Sequence, residues 1–125
     1  MFPTPHDPRN FLALAKKLLD LSTNFGVPLQ TRVRTAIGRA YYAAFLLSKL
    51  KQEARGHKFP DDHTVHICVR NSFSDDQLSH IASKLDQLRD SRSDADYNMN
   101  VNLSNIDGDK CLRLAKDILE LLETV

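Results

Sequence analysis

From Thr31 to Ala54 the chain holds no proline and a single glycine, Gly38, and its apolar residues recur at three- and four-residue spacing. On a wheel of about 100° per residue, Val33, Ala36, Ile37, Ala40, Tyr41, Ala43, Ala44, Phe45 and Leu47 cover an arc of roughly 200°. That is wider than a helix at a protein surface needs. A helix of this length, roughly 35 Å, must be central, with other helices packed around it. Its alanines let those neighbours approach closely.

Four shorter segments repeat the helical period. The first runs from Pro8 to Thr23, with Phe11, Leu14, Ala15, Leu18 and Leu19 on one face and Asp7 as the expected N-cap. Gly26 and Pro28 end it, and Gly56 and Pro60 close the central helix. The third helix is expected from Asp62 to Asn71, capped by Asp61 or Asp62. The fourth is expected to start at a Ser74–Gln77 capping box and to run to Arg92 or on to Tyr97. The polar stretch Asn98–Asn105 reads as a loop. The fifth helix follows from Ile106 to Glu123, with Ser104 or Asn105 as cap and Leu112, Ala115, Ile118, Leu119 and Leu122 as its stripe. No alternating strand pattern of useful length occurs. The fold class is therefore all-α, an antiparallel bundle of about five helices forming one domain over residues 1–125.

Composition narrows the function. Charged residues make up 26% and no apolar run approaches the ~18 residues of a membrane span. A membrane location is not expected, and Met1-Phe2-Pro3-Thr4-Pro5 lacks the basic and apolar regions of a signal peptide. A net charge of +1 excludes a basic coat, so any contact with nucleic acid has to come from a local cluster. Two cysteines, Cys68 and Cys111, make no disulfide framework, and a reducing, cytoplasmic compartment is the simplest expectation.

Two places carry more than core. Outside the apolar arc of the central helix, Tyr42, Thr35, Leu46, Arg39 and Arg32 group within about 80°. A tyrosine and a leucine beside arginines form either a solvated face or an interface. On the fourth helix the stripe Leu78, Ile81, Ala82, Leu85 and Leu88 continues into Arg89, Arg92 and Asp96, within about 40° of one another. Charges facing a core need partners or water. This end is either an ion network, with Arg92 and Asp96 paired at i,i+4, or a cleft whose guanidiniums receive an oxyanion. His63 and His66 are spaced i,i+3 with His57 and Cys68 nearby, but a tetrahedral zinc site lacks further ligands, so neither metal nor cofactor is expected. His80 and His6 read as solvated. There is no glycine-rich phosphate loop, nucleophile elbow or paired-cysteine motif.

The segment Arg34-Thr-Ala-Ile-Gly-Arg-Ala-Tyr-Tyr-Ala-Ala-Phe45 resembles the long second helix of HEPN domains (higher eukaryotes and prokaryotes nucleotide-binding). The later Leu88-Arg-Asp-Ser-Arg-Ser-Asp-Ala-Asp-Tyr97 segment resembles that family's Arg-x-x-Ala-Asp-Tyr-like motif, and His63 falls where the family places a histidine. The resemblance implies a bundle of four or five helices, usually a homodimer. It also implies a nucleotide- or RNA-binding role in a prokaryotic toxin–antitoxin or defence pair, beside a minimal nucleotidyltransferase. Many members are metal-independent ribonucleases whose arginine is followed, four to six residues on, by a histidine. Here none follows Arg89 or Arg92 in that range, and Arg92, Asp96 and Tyr97 stand there instead. A free aspartate, with a pKa of about 3.9, is a weak base at neutral pH. Phosphate binding through Arg39, Tyr42, His63, Arg89 and Arg92 is therefore expected before cleavage. An active ribonuclease would have to use Arg89, Arg92, Asp96 and Tyr97 at a dimer interface. A third reading is a non-catalytic helical interaction subunit.

Overall fold

In a computed structural model the chain forms five helices: α1 (Arg9–Leu18), α2 (Leu29–Ala54), α3 (Val65–Asp75), α4 (Ser79–Tyr97) and α5 (Asn105–Glu123). The structure describes residues 6–23 and 25–125, and among these no strand occurs. The Met1–Pro5 segment read above for a leader, and Asn24 in the first interhelical turn, lie outside the described residues. No helix among the described residues is long and apolar enough to cross a membrane.

α2 is the hub: α1, α3, α4 and α5 all pack on it, while α3 and α5 also pack on α4. Every residue of its expected apolar arc is buried. α5 packs where Gly108 leaves room; a Cβ there would stand 2.6 Å from Leu19 Cδ2. Its start is fixed by a capping box, in which Asp107 N–H donates to Ser104 Oγ at 3.2 Å and Ser104 N–H donates to Asp107 Oδ2 at 2.7 Å.

Three features differ from expectation. α1 stops at Leu18, and the residues to Thr23 are turns. Arg32, expected on the outward patch of α2, is only 7% exposed. Its Nε and Nη2 donate to the carbonyls of Leu18 (3.0 Å) and Asp20 (2.7 Å), and its guanidinium lies 4.9 Å from the Phe25 ring centroid. The carbonyls at a helix C-terminus have no partner of their own, and this arginine supplies one. The Ser74–Gln77 box does not form, because α3 continues to Asp75 and Gln77 takes a left-handed φ of 63°. Leu78 N–H bonds Phe73 O at 2.7 Å and Gln77 N–H bonds Ser74 O at 3.1 Å, which is a Schellman stop. α2 ends in the same way, with Gly56 at φ 103°, His57 N–H on Gln52 O and Gly56 N–H on Glu53 O.

A polar node ties those two stops together. The amide of Gln52, fully buried, donates to Ser72 Oγ (3.0 Å) and Asp76 Oδ2 (2.9 Å). Asp76 is also met by His57 Nε2 (2.9 Å) and Arg55 Nη2 (3.4 Å). The hydrogen bonds from His57 and Gln52 hold its carboxyl below the usual value of 3.8.

Candidate functional site

The start of α2 fixes the end of α4. Arg34 Nη1 donates to the carbonyls of Asp94 (3.2 Å), Ala95 (3.0 Å) and Asn98 (3.1 Å), and its Nη2 donates to Val101 O. The Gln30 amide accepts from Leu103 N–H at 3.2 Å and donates to the carbonyl of the same residue. The asparagine-rich loop is thus held by side chains one and two turns into α2, and the last turns of α4 lie beside the middle of that helix. A Cβ at Gly38 would meet Asp96 Oδ1 at 3.7 Å, an ordinary contact, so the two helices pass closely there.

Arg92 is the node of this junction. Its Nη2 donates to Tyr42 Oη at 3.1 Å, and its guanidinium carbon lies 5.8, 5.4 and 5.8 Å from the ring centroids of Tyr41, Tyr42 and Tyr97. Its Nε is 2.8 Å from Asp96 Oδ2, but the N–H does not point along that line, so the pair is a charge contact rather than an aligned hydrogen bond. The Arg92 side chain is 16% exposed and that of Asp96 35%. Arg39 stacks on the opposite part of the cluster, 5.1 Å from the Phe11 centroid and 5.2 Å from that of Tyr42. Tyr97 is 73% exposed.

His66 of α3 completes the group. Its ring stacks on Phe45 at 4.2 Å and on Tyr41 at 5.7 Å, and its Nδ1 lies 2.6 Å from Tyr41 Oη. Burial pushes the Tyr41 hydroxyl up to about 12, against the opposing pull of Arg89 and Arg92. Burial, then Arg89 and Arg92, holds His66 below its usual 6.5. Tyr41 therefore stays protonated and His66 is neutral near pH 7; where the Tyr41 hydroxyl donates to Nδ1, the ring proton sits on Nε2.

Carboxylates are scarce around these cations. Asp96 is taken by Arg92, and Asp86 forms a forked pair with Arg70, whose Nε lies 3.2 and 3.0 Å from its two oxygens. Among the described residues, half-buried Arg39 and Arg89 have neither a hydrogen bond nor an ion pair. The surface thus combines unpaired guanidiniums with tyrosine faces, which suits phosphate beside an aromatic base.

The structure brings together Arg39, Tyr42, Arg92, Asp96 and Tyr97, with Arg89 beside Tyr41 and His66. His63 stands apart, exposed in the turn before α3. The histidine in contact with the cluster is His66. A signal for it exists in the sequence, since His66, Val69 and Phe73 follow three- and four-residue steps, and the latter two are fully buried. Among the described residues no group of His, Cys, Asp and Glu side chains converges as a metal site would require.

No curated protein matches the chain. The family model of the HEPN domain matches residues 9–125, nearly the whole length and all five helices. The long α2 with its Arg-Ala-Tyr-Tyr-Ala run, crossed by the Ala-Asp-Tyr end of α4, lies inside that match, and the chain belongs to the HEPN domain family, whose functions are nucleotide- and RNA-related.

Proposed function

We propose that this protein is a nucleotide- or RNA-binding member of a prokaryotic toxin–antitoxin or defence pair, a homodimer acting with a minimal nucleotidyltransferase. The observation that carries the binding role is that Arg39, over the Tyr42 ring, and Arg89, beside Tyr41 and His66, have no ion pair among the described residues, with exposed Tyr97 on Arg92 in the same cluster. Guanidiniums receive phosphate oxygens, and an exposed tyrosine such as Tyr97 stacks bases without regard to sequence. Arg92, enclosed by three tyrosines and Asp96, sets the position of these groups. Binding precedes cleavage in this reading, because the nearest carboxylate is paired with Arg92 and the ring proton of His66 occupies Nε2. Half-buried Tyr42 and Leu46 beside Arg39 support a self-contact on α2.

Filter binding of labelled total RNA and of ATP, at low and high salt, tests the proposal. Arg39→Gln and Arg89→Gln should each weaken binding by about tenfold and flatten its salt dependence. Absence of binding by the folded wild type in low salt, or unchanged binding in both variants, refutes it. The enclosure of Arg92 also favours a second reading, a non-catalytic interaction subunit whose arginine–aspartate network only joins α2 to α4. In that case Arg92→Ala lowers the melting temperature and there is no binding to lose.

A further inference from the structure

Between α3 and α4 runs a narrow crevice lined by Tyr41, Phe45, His66, Arg70, Asp86 and Arg89. Its charges do not balance. Arg70 and Asp86 neutralise each other through the forked contact, in which Nη2 also lies 3.0 Å from Oδ2. Arg89 remains without an acceptor among the described residues. The ring of His66 is wedged against Phe45 and Tyr41, with Nδ1 occupied by the Tyr41 hydroxyl and Nε2–H without a partner. Arg89 and His66 thus line one crevice, and neither Arg89 nor His66 Nε2 has an acceptor there among the described residues.

We propose that the mouth of this crevice, whose interior is too narrow for more than a water, is a subsite for a terminal phosphate monoester, the end phosphate of a free nucleotide or of an RNA strand, held by Arg89 and His66 Nε2–H. The inference rests on the reading of this face as a nucleotide or RNA surface, and it names the part of the ligand that the face selects. A bridging phosphodiester carries one negative charge and matches Arg89 alone. A monoester has a second ionisation near 6 and offers close to two charges at neutral pH. The second charge is answered when Nδ1 takes up a proton and the Tyr41 hydroxyl turns from donor to acceptor, so that the imidazolium holds the phosphate through a charge-assisted Nε2–H···O contact. The groups facing His66 permit this. From α2 these are neutral Tyr41 and Tyr42; from α3, Arg70 paired with Asp86; from α4, Arg92 paired with Asp96, and unpaired Arg89. Only Arg89 opposes protonation without a counter-ion of its own, and the incoming phosphate supplies that counter-ion. Binding is therefore linked to proton uptake.

The test compares one short RNA with a 5′-phosphate and with a 5′-hydroxyl, and adenosine 5′-monophosphate with adenosine, each titrated against the full chain at pH 6 and pH 8. The phosphorylated member of at least one pair should bind about tenfold more tightly at pH 6, with a smaller advantage at pH 8. Arg89→Gln should remove the advantage. His66→Gln, whose amide donates but cannot be protonated, should leave an advantage that no longer falls from pH 6 to pH 8, since only the phosphate's own ionisation still titrates. Circular dichroism shows that each variant is folded, and the pH dependence separates a ligand contact from a structural role. A preference confined to the RNA pair assigns the subsite to strand ends, and one confined to the nucleoside pair assigns it to free nucleotides. Equal affinity within both pairs overturns the subsite; if the RNAs still bind tightly, the broader reading survives. Discrimination by the nucleotide pair without any RNA binding keeps the subsite and removes RNA as the ligand.

Discussion

Arg34→Ala removes the guanidinium that holds the end of α4 and its following loop to the first turns of α2. Four carbonyls lose a donor. Those of Asp94 and Asn98 keep one each, from Asn98 N–H (3.1 Å) and Val101 N–H (3.4 Å). Those of Ala95 and Val101 have no other donor among the described residues, and Ala95 is only 3% exposed. Hydrogen bonds from a charged donor contribute about 1.5–3 kcal/mol each, but water reaches the outer carbonyls once the side chain is gone. Counting the two stranded groups and discounting for that water gives a loss of about 2–4 kcal/mol. For a domain of this size each kcal/mol shifts the melting temperature by roughly 3–5 °C, so a fall of about 6–20 °C is expected. Urea unfolding followed by circular dichroism measures the free energy directly. Arg34→Lys keeps the charge but not the fork and should recover only part of the loss. The same variants should weaken ligand binding without touching ligand, because Arg92, Asp96 and Tyr97 stand on the turns that Arg34 holds. A loss below about 1 kcal/mol in Arg34→Ala, the level of an exposed side chain, refutes the clamp, as does a lysine variant as stable as the wild type.

Gln77→Gly should stabilise the fold by about 1 kcal/mol, since φ 63° is strained for glutamine and natural for glycine, with the urea midpoint as readout. Gly108→Ala should destabilise by roughly 0.5–2 kcal/mol, because the new methyl meets buried Leu19 at 2.6 Å and the gain in helix propensity only partly offsets this; Gly38→Ala, with a 3.7 Å contact, should not. The depressed pKa of His66 means that the unfolded chain binds more protons just below pH 6.5, so its contribution is full above that pH and is lost as pH falls through the lower native value. Melting curves of wild type and His66→Gln from pH 5 to 7.5 should therefore draw together or cross toward the acid end, and a constant gap contradicts the assignment.

Period-based reasoning reached as far as side chains obey a period. The α2 arc follows from spacing alone, because a helix apolar over half its circumference can only be central. The boundaries depend on local backbone geometry, which residue type signals unevenly. The stops of α2 and α3 are the same Schellman motif, yet one offers Gly56 and the other Gln77 at the left-handed position. The glycine is legible and the glutamine is not, so the sequence alone ends α3 early and suggests a false cap at Ser74. Arg32 reads as outward in the sequence because a charge is expected in water; its burial depends on α1 ending where its carbonyls need a donor. The histidine reading turned on the same kind of shift. Asp62 folds its carboxylate onto Thr64 N–H at 2.8 Å, which delays α3 to Val65 and leaves His63 outside the helix, with His66 in its first inward turn. The charged end of α4 was legible as a row, but which arginines it leaves unpaired depends on Asp86 and Arg70, set by the packing of α3 on α4.

Asp96→Asn separates the roles open to the carboxylate. In the fold, Asp96 Oδ2 stands 2.8 Å from Arg92 Nε without an aligned hydrogen bond, and Arg92 is also held by Tyr42 and three rings. Asparagine is nearly isosteric, so Arg92 should stay in place and the loss of stability should be about 1 kcal/mol or less for a pair whose carboxylate is over a third exposed. What changes is charge: the surface gains one uncompensated positive unit beside Arg39 and Arg89. If Asp96 acts only as a counter-ion, affinity for RNA or nucleotide rises or holds, with a steeper salt dependence. A carboxylate acting as a base would give another pattern, in which any cleavage of RNA disappears while binding is unchanged. The contact of Asp96 with the Arg92 guanidinium, which makes it a counter-ion, predicts the first pattern. Cleavage by the wild type, abolished in Asp96→Asn at equal affinity, would overturn that argument and establish a ribonuclease at this junction.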